Sequence, residues 1–309
     1  MFLQDKRYND YNSYLKTLFP QRIQKISINA GFSCPNRNGE KGWGGCTYCN
    51  NQTFNPEYCF RGESITDQIK KGIKFFRKKY PTQEYFAYFQ AYTSTYDTYE
   101  NLVKRYEEAL AFDGVKGLII GTRPDCVNDT LLDYLAELSK KYYIMVEYGV
   151  ESTNDNTLKF INRGHDFATC VNAIQETAKR GIKTGVHMIL GLPTESHDDI
   201  MEHAAKLSVL PINSLKLHQL QLVKGTIMAK QYQEDPTIFN FFTADEYIDL
   251  IIDFLENLNP NIPIERFTSQ SPKELLIAPD WGLKNFEFVH KIEKQLALRD
   301  TFQGKKWKG

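Results

Sequence analysis

The chain has 309 residues, 41% of them hydrophobic and 25% charged, the balance of a folded globular protein, which excludes disorder over most of its length. Its 38 basic and 38 acidic residues cancel, which argues against a non-specific coat on nucleic acid but leaves room for a local basic patch. No apolar run approaches the ~18 residues of a membrane span, and the start, MFLQDKRYNDYN, has no signal-peptide apolar core, so a cytoplasmic setting with reduced thiols is expected.

In chain order, residues 1–24 form an N-terminal extension. KISINAGF (25–32) reads as a strand entering a glycine-rich loop. Residues 66–80 read as a helix with Thr66 as N-cap, Ile69, Ile73 and Phe76 on one face, and Pro81 after its end. Strands then alternate with helices: strand 84–92, helix 97–112, strand 116–122, helix 129–141 and strand 142–150. Helices 153–162 and 167–180 follow, the second ended by Gly181, then strand 182–192, helix 195–210 and strand 214–223. Six such units predict an α/β fold with a parallel sheet and helices outside. An open partial (βα)6 TIM-like barrel and a doubly wound sheet both fit. In either, a site gathers at the carboxyl ends of the strands, after residues 30, 91, 121, 150, 190 and 223. Beyond the core (25–226), residues 227–309 read as a C-terminal α/β appendage. It comprises a helix at 243–258 begun by Thr243 or Asp245, a polar strand or loop at 263–282, a helix at 284–300 and a frayed tail.

Six cysteines are too few for a disulfide scaffold, and three of them cluster as C-x11-C-x2-C: Cys34, Cys46 and Cys49. Three thiolates can hold three irons of a [4Fe–4S] cluster and leave the fourth open. Gly39, Gly42, Gly44 and Gly45 let the backbone wrap such an object. A structural zinc site completed by Cys59 is the alternative. A thioredoxin-type CxxC leaves Cys34 and the glycines unexplained. Cys59, Cys126 and Cys170 otherwise have no assigned chemistry.

A C-x-aromatic-C element, with Tyr48 as the aromatic, on the loop after the first strand of such a pattern resembles the radical S-adenosylmethionine (SAM) superfamily. The long first spacing resembles the catalytic subunit of Elongator and its relatives. So do GTRPDCV (121–127), EYGVES (147–152), INRGH (161–165), GVHMILGLPTE (185–195) and LQLVKGT (220–226), in order over about 25–226. CPNRNGEKGWGGCTYCNNQTF, FQAYTSTY and ILGLPTE are similar to the YtqA/YhcC group. No segment resembles the acetyltransferase domain that follows this core in Elongator, so acetyl-CoA chemistry is not expected.

The resemblance implies that Cys34, Cys46 and Cys49 ligate the cluster, whose open iron takes the amino and carboxylate groups of SAM. Tyr48 would lie against the adenine through its backbone. Gln90, Tyr92, Thr93 and Ser94 stand where relatives hold the SAM amino group on a GGE-like turn, here without its glycines; carbonyls and the Thr93 or Ser94 hydroxyl are the substitute acceptors. Glu151 stands where relatives use a glutamine near the ribose or methionine. Arg163 matches an arginine that pairs with the SAM carboxylate, the alternative being a plain ion pair with Glu151 or Asp166. His187 stands where relatives contact SAM or is a core histidine. On the substrate side, Arg123 and Asp125 fall at the barrel mouth, His218, Gln219, Gln221 and Lys224 line or cap strand six, and Arg266 covers the opening. His197, His203 and His290 are expected at the surface.

The expected function is a radical SAM enzyme that makes a 5′-deoxyadenosyl radical and modifies the tRNA wobble uridine. The expected step removes the carboxymethyl group from 5-carboxymethylaminomethyluridine, with Arg123 or Lys224 on the carboxylate and a donor such as flavodoxin or ferredoxin supplying the electron. The basic stripe Lys70, Lys71, Lys74, Arg77, Lys78 and Lys79, the tail lysines Lys305, Lys306 and Lys308, and an exposed Trp43 are candidate RNA contacts, although such a stripe is also an ordinary solvated face. The rivals are a radical SAM enzyme acting on a small metabolite or tetrapyrrole, and a zinc-stabilised RNA-binding module without catalysis.

Overall fold

A computed structural model describes residues 6–54, 56 and 58–309. The elements in order are α1 (Tyr11–Leu18), β1 (Ile23–Ile28), α2 (Ile65–Arg77), β2 (Glu84–Phe89), α3 (Tyr99–Leu110), β3 (Val115–Thr122), α4 (Asp129–Ser139) and β4 (Tyr143–Glu151). There follow α5 (Asp155–Phe160), α6 (Phe167–Lys179), β5 (Lys183–Leu190), α7 (His197–Ser208), β6 (Ser214–Gln219), β7 (Leu222–Val223) and α8 (Ile227–Glu234). The chain ends with α9 (Ala244–Asn257), β8 (Ile264–Arg266), β9 (Leu276–Ala278) and α10 (Asn285–Leu298). Strands β1 to β6 lie side by side in sequence order, all parallel, and β8 adds a seventh parallel strand beside β6. β7 and β9 form a small antiparallel pair.

One contact decides between the two folds the sequence allowed. Lys25 Nζ on β1 lies 2.7 Å from a carboxylate oxygen of Glu265 on β8, the opposite edge strand. A flat sheet would hold seven strands' edges ~29 Å apart at the usual strand spacing. The sheet is therefore curled into a partial barrel. Its outward residues, among them Ile26, Ala87, Leu118, Val146, Met188 and Leu217, pack under the helices in the main core.

The inward face carries two layers. Phe86, Tyr88, Ile119 and Met145 pack against Tyr11 and Leu15 of α1, which closes the amino end of the barrel. Phe86 and Tyr143 stack at 4.6 Å, and the hydroxyls of Tyr11 and Tyr143 meet at 3.2 Å. Above this apolar floor, the same inward register places Lys25, Glu147 and Lys216.

Several expectations need correction. The α2 N-cap is Ser64, whose side chain accepts from the Asp67 amide. Thr66 instead donates to Glu108. The tail is pinned rather than frayed: Gln303 is fully buried, donates to the carbonyls of Asn259 and Ile262, and accepts from the Asn9 amide. His203 is buried at 1% exposure, between Thr153 at 2.7 Å and Glu195 at 3.1 Å. His197 and His290 are exposed. Among the described residues, no helix is long and apolar enough to cross a membrane.

Candidate active site

A cavity opens at the carboxyl ends of the strands. Its walls come from the loop between β1 and α2, from the strand ends, and from the segment after β8. Period-two alternation decides which side chains reach it. On β4 the inward set is Glu147, Gly149 and Glu151, on β5 it is His187 and Ile189, and on β6 it includes Lys216 and His218. β4 is bulged against β5 between Gly149 and Glu151, and Glu151 sits at φ 68°, outside the region that side chains prefer. The bulge turns the Glu151 carboxylate into the cavity.

Cys34, Cys46 and Cys49 all line this cavity. The loop between them is held by the NRGH segment. Asn36 donates to the Asn162 carbonyl at 2.7 Å, Asn162 donates to the carbonyls of Trp43 and Gly45, and the Thr47 amide donates to Ile161. The sulfurs face donors: Arg163 Nη1 at 3.3 Å and Asn36 Nδ2 at 3.6 Å from Cys46, and Asn51 Nδ2 at 3.5 Å from Cys49. Arg37 donates to the Cys49 carbonyl. Donors aimed at sulfur favour ligating thiolates and tune a bound cluster.

Among the described residues, no three His, Cys, Asp or Glu side chains converge as a single metal ion requires. A cluster spreads its thiolates over separate irons, so three cysteines around one cavity suit it better than a lone zinc. Cys59, the fourth ligand of the zinc alternative, is buried away from the cavity with its sulfur 3.1 Å from Gln68 Oε1. The residues present fit an open-cornered cluster.

Below the cysteines lies a closed set of charges. Glu147 meets Lys25 at 2.9 Å, Lys216 at 2.7 Å and His187 at 2.9 Å, and Lys216 also reaches Glu265 at 3.3 Å and the Tyr88 hydroxyl at 3.0 Å. Burial alone would raise the Glu147 pKa, but Lys216 and Lys25 override it and hold the carboxyl well below its usual range. Burial and Lys216 push His187 down to about 4, and burial with Arg266 keeps His218 well below its usual value, so both imidazoles are neutral at pH 7. Burial raises Glu151, opposed by Arg163 at 3.8 Å and by a hydrogen bond from Tyr48. Gly149 makes this packing possible: a Cβ there would lie 2.5 Å from Glu151 Oε1 and 2.6 Å from Arg163 Nη2.

Tyr48, Gln90, Tyr92, Thr93, Arg123, Glu151, Arg163 and His187 all line the cavity with the three cysteines. Three candidates do not. Ser94 is buried with its hydroxyl on the Phe89 carbonyl. Asp125 turns back to hold Arg123 through two bonds of 2.9 and 3.0 Å. Lys224 is exposed outside the cavity lining, and its carbonyl accepts from Asn50. Arg163 forms the Glu151 ion pair given above as its plain alternative, while Asp166 caps α6. Arg266 lines the cavity from β8.

The reading by motif missed Lys25, Arg37, Glu147, Lys216 and Glu265. The available signal was a lone charge inside an apolar strand, as in KISI, IMVEYG and SLKLHQ. The basic stripe runs along α2 and just past its end at Lys78 and Lys79; the helix returns antiparallel to the strands, so Lys74, Arg77, Lys78 and Lys79 fall toward the end away from the cavity. Trp43 is 75% exposed on the cysteine loop.

The model of the radical SAM superfamily matches residues 34–207, and that of the radical SAM C-terminal domain matches 212–297. YtqA of Bacillus subtilis is 37% identical over 97% of this chain and 93% of its own length. A tRNA uridine(34) acetyltransferase of Dehalococcoides mccartyi is 26% identical over 55% of this chain and 36% of its own length. The structure of archaeal Methanocaldococcus infernus Elp3 with an N-terminal deletion superimposes with a TM-score of 0.70 at 15% identity, covering 91% of this chain and 64% of that one, a likeness of fold. The chain belongs to the radical SAM superfamily, and this membership implies the use of SAM and an iron–sulfur cluster to generate a 5′-deoxyadenosyl radical.

Proposed function

We propose that this radical SAM enzyme acts on the wobble uridine of tRNA and oxidatively removes the carboxymethyl group of 5-carboxymethylaminomethyluridine, leaving the 5-aminomethyl form. The observation that carries the reading is the division of the cavity. One end gathers the three cysteines, Arg37 and Arg163; the other gathers His218, Gln219, Gln221, Ser269 and Ser271. Gln219 is tied to the Ser269 backbone and Ser271 donates to the Gln221 side-chain oxygen, and the Gln221 amide nitrogen and Ser269 hydroxyl suit the polar edge of a nucleobase. The exposed Trp43 beside the cysteines offers a stacking face to RNA. The relative named for tRNA uridine(34) supports the same substrate class.

Cys34, Cys46 and Cys49 would hold a [4Fe–4S] cluster, which with SAM supplies the radical. Arg163, Glu151 and Tyr48 form the wall for the methionine and ribose parts of SAM. Gln90, Tyr92 and Thr93 face the same space and offer carbonyls and a hydroxyl to an ammonium. The hydrogen removed is on the methylene beside the substrate carboxylate, a bond weakened by the adjacent nitrogen and carbonyl. Loss of one electron from that carbon radical to a one-electron acceptor, and of the proton on nitrogen, would give an imine. Water would then break its C=N bond, leaving the 5-aminomethyl group and releasing glyoxylate. The walls orient that methylene and exclude competing hydrogen donors.

The test is incubation of tRNA bearing the carboxymethylaminomethyl group with enzyme, SAM and reductant, followed by nucleoside mass spectrometry. Conversion to 5-aminomethyluridine is expected. Unchanged wobble nucleosides would contradict the reading.

A further inference from the structure

We propose that Arg266 is the anchor for a carboxylate on the substrate, and that it sets a preference for a monoanionic group at the substrate end of the cavity. The earlier candidates for this task are otherwise engaged. Arg123 is neutralised by Asp125, and Lys224 lies outside. The carboxylates of the cavity are paired, Glu147 with Lys25 and Lys216 and Glu151 with Arg163, and Arg37, which donates to the neutral Cys49 carbonyl, sits at the cysteine end.

Arg266 is the cavity's cation on the β8 side. Among the described residues no carboxylate pairs with it. Its Nη2 rests 2.7 Å from His218 Nε2, and its Nε is buried without a hydrogen-bond partner, as are Arg123 Nη1 and Arg163 Nε, whose charges are met by Asp125 and Glu151. A neutral imidazole orients the guanidinium without cancelling its charge. A partly buried cation with an open donor is costly unless an anion completes it. The planar fork of arginine fits a carboxylate with two parallel bonds. One uncompensated charge matches a monoanion better than a phosphate dianion. Position supports the assignment as well: β8 stands beside β6, with Arg266 in register with Lys216, whereas Arg163 and Arg37 serve the cysteine end.

The proposal rests on the wobble-uridine reading for its main probe, so the test has two arms. In the first, the reconstituted, SAM-loaded enzyme is titrated with anticodon stem–loop RNAs carrying 5-carboxymethylaminomethyluridine or its methyl ester. The wild type is expected to bind the acid ~10-fold or more tightly than the ester, the scale of hydrogen bonds to a charged group. Arg266→Gln should bring the two within about 3-fold, and Arg266→Lys should keep an intermediate ratio. The ratio is internal to each variant, so a general folding loss does not mimic the effect. If the Gln variant does not fold, the Lys variant decides.

In the second arm, modification of Arg266 by phenylglyoxal is followed by peptide mass spectrometry, with N-methylglycine or its methyl ester as protectant. Protection by the acid alone is expected, and equal labelling rates would overturn the proposal without reference to RNA. A wild type with no acid preference, or an Arg266→Gln enzyme that retains it, also overturns the anchor. If the anchor holds but no 5-aminomethyluridine forms, the wobble reading falls instead. If product forms and Arg266→Gln still prefers the acid, the reading stands and the anchor falls.

Discussion

Arg163 Nη1 lies 3.3 Å from the Cys46 sulfur, while the Nη2 of the same guanidinium donates to the Gly149 carbonyl and faces Glu151. One side chain thus joins the cysteine loop to the bulged end of β4. Removing it leaves the Glu151 carboxylate buried without its cation, which costs ~3–5 kcal/mol when a buried pair loses one partner. Arg163→Ala should therefore lower the urea midpoint and reduce the iron retained after gel filtration. Arg163→Lys, which keeps charge but not the fork, should recover part of the stability and less of the iron.

Gly149→Ala tests the same joint from the backbone side. The added methyl would press on both Glu151 and Arg163, whose side chains must move to admit it. The fold should survive, since both contacts are to side-chain ends. SAM affinity is expected to fall at least ~10-fold, the equivalent of ~1.4 kcal/mol, as read by equilibrium dialysis. An unchanged affinity would show that this corner does not hold SAM.

Acid should destabilise the protein in two stages. His187 faces Glu147, Lys216, Arg266 and His218, and its pKa falls from 6.5 to about 4 in the fold. Between those values the unfolded chain binds a proton that the native state refuses, so stability present above pH 6.5 is lost as the pH falls toward 4. That loss is on the order of 2–3 kcal/mol. Glu147, also depressed, adds its loss only below about 4.5, the usual glutamate value, as it protonates. Urea unfolding at a series of pH values should show both stages, and His187→Gln should lack its share of the first.

The tail offers a stability test remote from the cavity. Gln303→Ala removes two donors and one acceptor from buried or partly buried backbone groups of Asn259, Ile262 and Asn9. A loss of ~2–4 kcal/mol is expected from groups left unsatisfied, measurable as a lowered Tm. A frayed tail would give no change.

The strand–helix alternation was legible because outward residues such as Ile26, Leu118 and Met188 follow a strict period of two against amphipathic helices. The cysteine loop was legible because cysteine is rare and its spacing distinctive. The seventh strand was not: Ile264–Arg266 is three residues long and carries two charges, so it resembles a polar loop until Lys25 and Lys216 are seen to neutralise Glu265. The tail was missed for a related reason, since its order comes from side-chain bonds of Gln303 to distant backbone rather than from local periodicity. Strand order places Asp125 at the mouth and Lys224 at the cap of strand six, and it locates a residue but not the direction of its side chain. His203 was read as a surface group because its burying partners, Thr153 and Glu195, come from other loops.

The most direct test of the central claim is the iron content and SAM cleavage of the anaerobically reconstituted protein under dithionite. The account predicts about four irons per chain and formation of 5′-deoxyadenosine, both lost when Cys34, Cys46 and Cys49 are replaced by alanine. A colourless protein that keeps one tightly held zinc and releases no 5′-deoxyadenosine would contradict it.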